Sequence, residues 1–337
     1  MNLITGATGH IGNVLVRMFS ERGVKVRAMV MPGEDSSPLN SLDVEIVESD
    51  VLDYQSLLKA FSNIEVVYHL AGMISILPGR DDLLRAVNVM GTRNVIEAAR
   101  SSGVRRLVYT SSIHALQRVP EGILIDETVP FDIEHAISSY DSSKASASLD
   151  VLNAVHDGLD AVIVCPTGVI GPYDFRTSEM GQLILDCVEE KTMFYVDGAY
   201  DFVDVRDVAQ GLILAGERGR CGESYILSGE RIAVFDIIKI VQEVIGKRLF
   251  SLKIPFSLAT FTAKLTPLYY RLTRIKPRFT SYSLATIISN SHISHSKAQR
   301  ELGYHPRPLR ESLSDTVKWI KYQKLIKKAG HKYPVSE

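Results

Sequence analysis

Cysteine is scarce: three residues in 337, at positions 165, 187 and 221. That is too few for a disulfide framework, and the spacing is too wide for a short-range metal site. The expectation is free thiols in a reducing cytoplasm, with no metal. Excess charge is also missing. The formal net charge is -1, so bulk electrostatics favours neither a nucleic acid nor a membrane surface as partner. No basic stretch precedes an apolar core at the N-terminus, so no signal peptide is expected. No apolar run reaches bilayer-spanning length; the most apolar, from Ile254 to Ala263, is followed by Lys264. What remains is 45% hydrophobic and 23% charged, an ordinary globular composition. Disorder is expected only in the Lys-rich stretch between Lys324 and Lys332.

Short apolar runs alternate with amphipathic segments through the first half. Strands are expected at 2–5, 24–30, 44–47, 66–70, 107–110 and 161–165. Helices are expected at 11–22, 54–61, 83–102 and 140–156. This alternation implies an α/β fold with a Rossmann-type, doubly wound parallel sheet and right-handed crossovers. After Pro166 the texture changes to glycine and proline punctuation, with helices expected at 180–190, 205–216, 234–245, 255–272 and 309–321. The division expected is a nucleotide-binding domain over 1–166, a smaller, mostly helical substrate lobe over 167–325 with returns to the sheet, and a tail over 326–337.

Between the first strand and first helix lies Thr5-Gly6-Ala7-Thr8-Gly9-His10-Ile11-Gly12. In that context Gly6 permits a tight turn, Gly9 a close backbone approach, and Gly12 close packing of helix on strand. The helix start offers free N–H groups and a partial positive charge to phosphates. A plain glycine-rich turn is the competing reading. Leu70, Ala71 and Gly72 end the fourth strand, where small residues let a cofactor pass close to the backbone.

Tyr140 and Lys144 stand four residues apart, on one face of an expected helix. Thr110-Ser111-Ser112 ends the fifth strand. In parallel sheets the ligand crevice lies at the carboxyl ends of the strands, so the loop, Ala71, Ser112 and Pro166 describe one cleft. A tyrosine with its ordinary pKa near ~10 is a poor base at neutral pH; the Lys144 ammonium is expected to lower it. Tyr140 would then exchange a proton with a substrate oxygen that a hydroxyl of Thr110, Ser111 or Ser112 orients. A surface helix pair is the bland alternative for Tyr140 and Lys144. His114 lies close by and reads as structural or as touching the substrate.

The GxxGxxG spacing, preceded by Thr5, resembles the extended branch of the short-chain dehydrogenase/reductase superfamily, the NAD-dependent epimerase/dehydratase group. The resemblance runs on through Asp50-Val51, Asn88-x-x-Gly91-Thr92-x-Asn94, Tyr140-x-x-x-Lys144, Pro166-x-x-x-x-Gly171-Pro172, Phe202-Val203-Asp204-Val205-Arg206-Asp207-Val208-Ala209 and Glu301-Leu302-Gly303-Tyr304. It therefore covers nearly the whole chain. It implies Ser112, Tyr140 and Lys144 as catalytic residues, with Lys144 also holding the nicotinamide ribose. For cofactor binding it implies Gly6, Thr8, Gly9, His10, Ile11, Gly12, Asp50, Val51, Leu70, Ala71, Gly72, Tyr140, Lys144, Pro166 and Val169. Asp50 has a helix-capping role as its alternative, and Asn88 is expected to be structural support. A homodimer through the helices at 83–102 and 140–156 is implied too.

At the end of the second strand the carboxylate typical of NAD-specific relatives is absent: Met31-Pro32-Gly33 stands there, with Glu34 and Asp35 slightly later. This favours NADP(H) over NAD(H), with Arg27 as the nearest cation. Ser112 is followed by Ile113-His114, not by the Asp-Glu pair of sugar dehydratases. The loop 123–137 and the segment 254–261 read as an apolar pocket or its mouth, with core packing as the alternative. The reading favoured is a reductase or dehydrogenase acting on a dihydroflavonol- or steroid-like small molecule. A nucleotide-sugar epimerase with tightly bound NAD is the alternative. A non-catalytic NADP-binding sensor is disfavoured by the Tyr–Lys pair.

Overall fold

A computed structural model describes residues 1–74, 79–189, 192–248, 250–273 and 280–328. Its strands are β1 (Asn2–Thr5), β2 (Val26–Val30), β3 (Glu45–Glu48), β4 (Val66–His69), β5 (Arg106–Thr110), β6 (Ala161–Pro166), β7 (Gly168–Ile170), β8 (Thr192–Tyr195), β9 (Ala199–Asp204), β10 (Ser224–Leu227), β11 (Glu230–Ala233) and β12 (Phe250–Lys253). Its helices are α1 (His10–Glu21), α2 (Tyr54–Ala60), α3 (Asp81–Arg85), α4 (Gly91–Ser101), α5 (Ser139–His156), α6 (Glu179–Glu189), α7 (Val205–Arg218), α8 (Val234–Ile245), α9 (Phe256–Thr273), α10 (Ser281–Ile287), α11 (Ser296–Leu302) and α12 (Leu309–Lys328). Most of the tail expected over 326–337 lies outside the described residues.

Seven parallel strands form the main sheet in the order β10-β6-β5-β4-β1-β2-β3. The fold is therefore the doubly wound α/β sheet that the alternation implied. The winding reverses between β1 and β4, which is where a crevice opens at the carboxyl ends of such strands. Every residue of β4 and β6 is buried, as expected for strands covered on both faces. One face is packed by α1 and α7, through Val14, Leu15, Phe19, Val208 and Leu212. The other is packed by α4 and α5, through Val95, Ile96 and Val151. Strand β10, after residue 166, returns to pair with β6. Two small sheets lie beyond: β11-β9-β7 and β12-β8.

The helix expected at 83–102 is interrupted. Between α3 and α4 the residues Ala86–Met90 form a wider, π-type turn, with the Gly91 N–H reaching back to the Ala86 carbonyl. A Cβ on Gly91 would stand 2.7 Å from Val51, so this glycine lets α4 lie against the loop after β3. The wide turn brings Asn88 to the site. Its Oδ1 accepts from the Met73 N–H at 2.7 Å, and its Nδ2 donates to Met73 O at 3.0 Å and to Ser143 Oγ at 2.9 Å. Asn88 thus ties α5 to the segment after β4.

Candidate active site

The glycine loop is shaped by contacts that no side chain could share. Gly6 has φ +67, and a Cβ there would lie 2.8 Å from Ala71 N. A Cβ on Gly12 would lie 2.1 Å from the Gly6 carbonyl oxygen. The loop after β1 and the end of β4 therefore touch backbone to backbone. No side chain caps α1, whose N-cap is Gly9. Its first-turn N–H groups keep the polarity that suits a phosphate. These features fit a dinucleotide pyrophosphate.

Behind the loop, His69 joins three elements. Thr5 Oγ1 accepts from Leu70 N at 3.1 Å and Ala71 N at 2.9 Å, and lies 2.8 Å from His69 Nδ1. With both lone pairs engaged, the Thr5 hydroxyl proton points to Nδ1, so the neutral imidazole carries its proton on Nε2. Nε2 then donates to Thr92 Oγ1 at 3.0 Å, and Thr92 donates onward to Asn88 O at 2.7 Å. Burial, aided by the Lys144 charge, pushes the His69 pKa down to about 3 from 6.5. The unfolded chain takes up this proton near 6.5 and the folded one does not. Stability is therefore fully present above pH 6.5 and falls as the pH drops towards about 3. Urea unfolding at stepped pH checks this: His69→Gln should flatten the slope by about 1.4 kcal/mol per pH unit, and an unchanged slope would contradict it.

Ser112, Tyr140 and Lys144 are brought together and are all buried. The three candidates at the end of β5 have separate fates. Ser111 Oγ is turned to Ser148 Oγ at 2.7 Å, and the Thr110 carbonyl accepts from Lys144 Nζ at 2.7 Å. Ser112 hydrogen-bonds the Tyr140 phenol and accepts the His114 N–H at 3.2 Å. Burial pushes the Tyr140 phenol up to about 12, against the pull of the Ser112 hydrogen bond; Asp141 adds to the rise. The lowering expected from Lys144 is not found; burial sets the direction. Burial also lowers the Lys144 ammonium to about 8. The pair rests as a neutral phenol beside an ammonium that is still largely charged at neutral pH. A Cβ on Gly72 would stand 3.5 Å from Lys144 Nζ, so this end of β4 reaches the Ser112–Tyr140–Lys144 trio.

A second group of side chains lies against this trio, and only part of it was visible in the sequence. His114 Nε2 is 3.1 Å from Tyr200 Oη, and the two rings stack. Burial lowers His114 to about 4. Tyr282 donates to Asp141 Oδ1 at 2.7 Å, and Arg118 stands 3.6 Å from Asp141 Oδ2. Beside them is a cavity of about 190 Å³, lined by Ile113, Leu116, Val119, Ile125, Ile293 and Tyr200 among others. From the loop 123–137, Ile125 reaches this cavity, whereas Ile123, Leu124, Ile133 and Ile137 are exposed. Phe256, Leu258 and Phe261 line neither pocket nor core; they are exposed.

At the other end of the crevice, Val51 packs on Gly91, and Asn94 Nδ2 donates to Val51 O at 2.9 Å. Asp50 Oδ1 accepts from Leu52 N at 2.9 Å; the cap of α2 is Asp53, not Asp50. The end of β2 differs from the sequence reading. Met31-Pro32-Gly33-Glu34 closes a tight turn, with Glu34 N bonded to Met31 O at 3.0 Å and Gly33 at φ +76. This turn folds Glu34 back, so that Oε2 accepts from Met31 N at 3.2 Å. A carboxylate therefore does stand at the end of β2. The Pro-Gly pair, with proline preset and glycine free to take positive φ, was the signal for it. Glu34 also pairs with Arg176, which donates to Thr8 Oγ1 at 2.6 Å. Arg27 is engaged elsewhere, with Glu45 and the carbonyls of Ala60 and Ser62.

His10 Nε2 donates to the Pro172 carbonyl at 3.0 Å, which joins the glycine loop to the segment after β7. Pro166 ends β6, and Val169 lies in β7, half-buried. The family model described as NAD dependent epimerase/dehydratase matches residues 2–228. Sterol demethylase protein B of Methylococcus capsulatus is 37% identical over 96% of this chain and 99% of its own length. A putative dihydroflavonol 4-reductase of Synechocystis sp. is 31% identical over 96% of this chain and 95% of its own. The crystal structure of gox2253 superposes with a TM-score of 0.84 at 34% identity, covering 96% of this chain and 98% of that one.

Proposed function

Because the chain belongs to the NAD-dependent epimerase/dehydratase family, we propose that it is a reductase or dehydrogenase acting on a ketone or secondary alcohol of an apolar, dihydroflavonol- or steroid-like substrate. The observation that carries this reading is the buried Ser112–Tyr140–Lys144 trio beside a cavity whose aliphatic lining is joined by His114, Gln117, Arg118 and Asn290. A neutral phenol is the protonation state needed to give a proton to a carbonyl oxygen. When bound, a reduced nicotinamide supplies the hydride to the carbonyl carbon. Ser112 orients the substrate oxygen, and Tyr140 passes its proton to that oxygen as the alcohol forms. Lys144, four residues away on α5, stabilises the phenolate left behind and holds the nicotinamide ribose. In the oxidative direction the same proton returns. The glycine loop from Gly6 to Gly12 and the Leu70–Gly72 edge hold the pyrophosphate and the dinucleotide backbone. Asp50 and Val51 would flank the adenine, and Pro166 and Val169 the nicotinamide.

The test is a panel of 3-ketosteroids and dihydroflavonols with NADH and NADPH. Sustained loss of reduced-cofactor absorbance supports the reading. Interconversion of UDP-sugars with no net cofactor change would replace it with epimerase chemistry. Reduction should also lose rate as the pH rises through about 8, where Lys144 gives up its proton. In Lys144→Met that limb of the kcat/KM profile should vanish on a lower plateau; persistence of the limb would assign it to another group.

For the ribose we propose NAD(H), because Glu34 would accept from ribose hydroxyls and repel a 2′-phosphate. Glu34→Gln should shift the ratio of NADP(H) to NAD(H) affinity upwards by roughly tenfold, about 1.4 kcal/mol. Calorimetric titration of both nucleotides reads this without turnover, and an unchanged ratio would return the choice to Met31. A homodimer through α4 and α5 is part of the same proposal, and the mass in solution checks it.

A further inference from the structure

The near-zero net charge hides a strong local imbalance. Between residues 244 and 278 the sequence has eight Lys and Arg and no Asp or Glu. Within this stretch the structure exposes large apolar side chains on two adjoining elements. On the β12-β8 ribbon, Leu252 is paired with Phe194, and both are exposed. Phe250, two residues earlier and so on the same face, is 65% exposed. The chain then turns into α9, where Leu258 is exposed and Phe261 is 63% exposed. The opposite side of α9 is anchored: Ala259 and Ala263 are buried against Val196 and Leu284. Lys247, Arg248, Lys253 and Lys264 are exposed around these residues, and Asp197 pairs with Lys253.

We propose that this face, formed by β8, β12 and the start of α9, docks the enzyme on the surface of an anionic lipid bilayer. Five exposed phenylalanine and leucine side chains on these elements have no place in the protein's core, and a basic rim selects for acidic headgroups. Each cation near such a surface strengthens the attachment, and each buried apolar side chain adds to it. A second copy of the chain is a poorer occupant, because a two-fold contact would set the same cations against one another. The face is also close to the chemistry. It shares its helix pair with α10, through Leu284 and Ile287, and α10 carries Tyr282, which holds Asp141 next to Tyr140. An apolar substrate dissolved in the bilayer would then be delivered near its site.

The test is sedimentation of the full chain with vesicles of phosphatidylcholine alone or with about one-third phosphatidylglycerol. Partition onto the anionic vesicles should exceed that onto neutral ones by roughly tenfold or more, and should fall steeply at about 0.5 M salt. Phe261→Asp, and separately Lys247→Glu with Lys264→Glu, should each lower it by roughly tenfold. Nucleotide affinity should stay unchanged in both variants, which shows that they fold. Equal partition onto both vesicle types, or none onto either, would overturn the proposal. So would a Phe261→Asp variant that turns a dimer into monomers with vesicle binding intact, since the face would then belong to a second copy.

Discussion

Replacing Tyr140 with Phe is expected to lower turnover by roughly a thousandfold, about 4 kcal/mol of transition-state stabilisation, with nucleotide affinity nearly unchanged. The phenol is buried and hydrogen-bonded to Ser112, so the ring keeps its packing when the hydroxyl is removed. What is lost is the proton that the substrate oxygen needs. Removing the hydroxyl also leaves Ser112 accepting only the His114 N–H, a contact made at 3.2 Å. The measurement is single-turnover rate beside nucleotide titration. A variant that keeps most of its rate would show that the proton comes from elsewhere, with His114 as the next group to substitute. Because burial holds His114 near 4, it is neutral at working pH and would need a bound substrate to change that.

Replacing Gly12 with Ala is expected to weaken nucleotide binding by roughly a hundredfold, about 2.7 kcal/mol, and to lower the melting temperature as well. The added carbon would meet Gly6 O at 2.1 Å, Gly6 C at 2.9 Å and Ala7 Cα at 3.1 Å. All three are backbone atoms, so no flexible side chain can give way. Relief requires α1 to retreat from the loop, and its N–H groups would move away from the phosphates with it. Gly23 is the control. It has φ +66 but nothing within 4 Å of a Cβ, so Gly23→Ala should cost about 1 kcal/mol of stability and no nucleotide affinity. Equal effects of the two substitutions on binding would mean that the loop's shape is not what the nucleotide reads.

Much of this was legible without coordinates because it is local. Strand–helix alternation marks each βα unit within a few tens of residues. The pair Tyr140 and Lys144 is set by one turn of helix. The requirement for glycine at Gly12, against the Gly6 carbonyl, follows from a single strand–turn–helix junction. The segment at 83–102 shows the limit of such reading. Its helical period is real, but the π-type turn at Ala86–Met90 depends on Val51 lying against Gly91, a contact between distant parts of the chain. Glu34 is visible just after the strand, but only the fold of the Pro-Gly turn brings its carboxylate back to Met31 N.

By itself the sequence determined the α/β class, the glycine loop, the Tyr140–Lys144 pair and the concentration of positive charge between 244 and 278. Each depends on residue type and short spacing. Only the tertiary structure decided what surrounds them. It set Tyr282 against Asp141, 141 residues apart, Arg176 against Thr8, 168 apart, and His114 against Tyr200, 86 apart. It also reversed the sense of the Tyr140 shift. Spacing along the helix follows from the sequence, whereas the desolvation that raises the phenol depends on every element that closes over it.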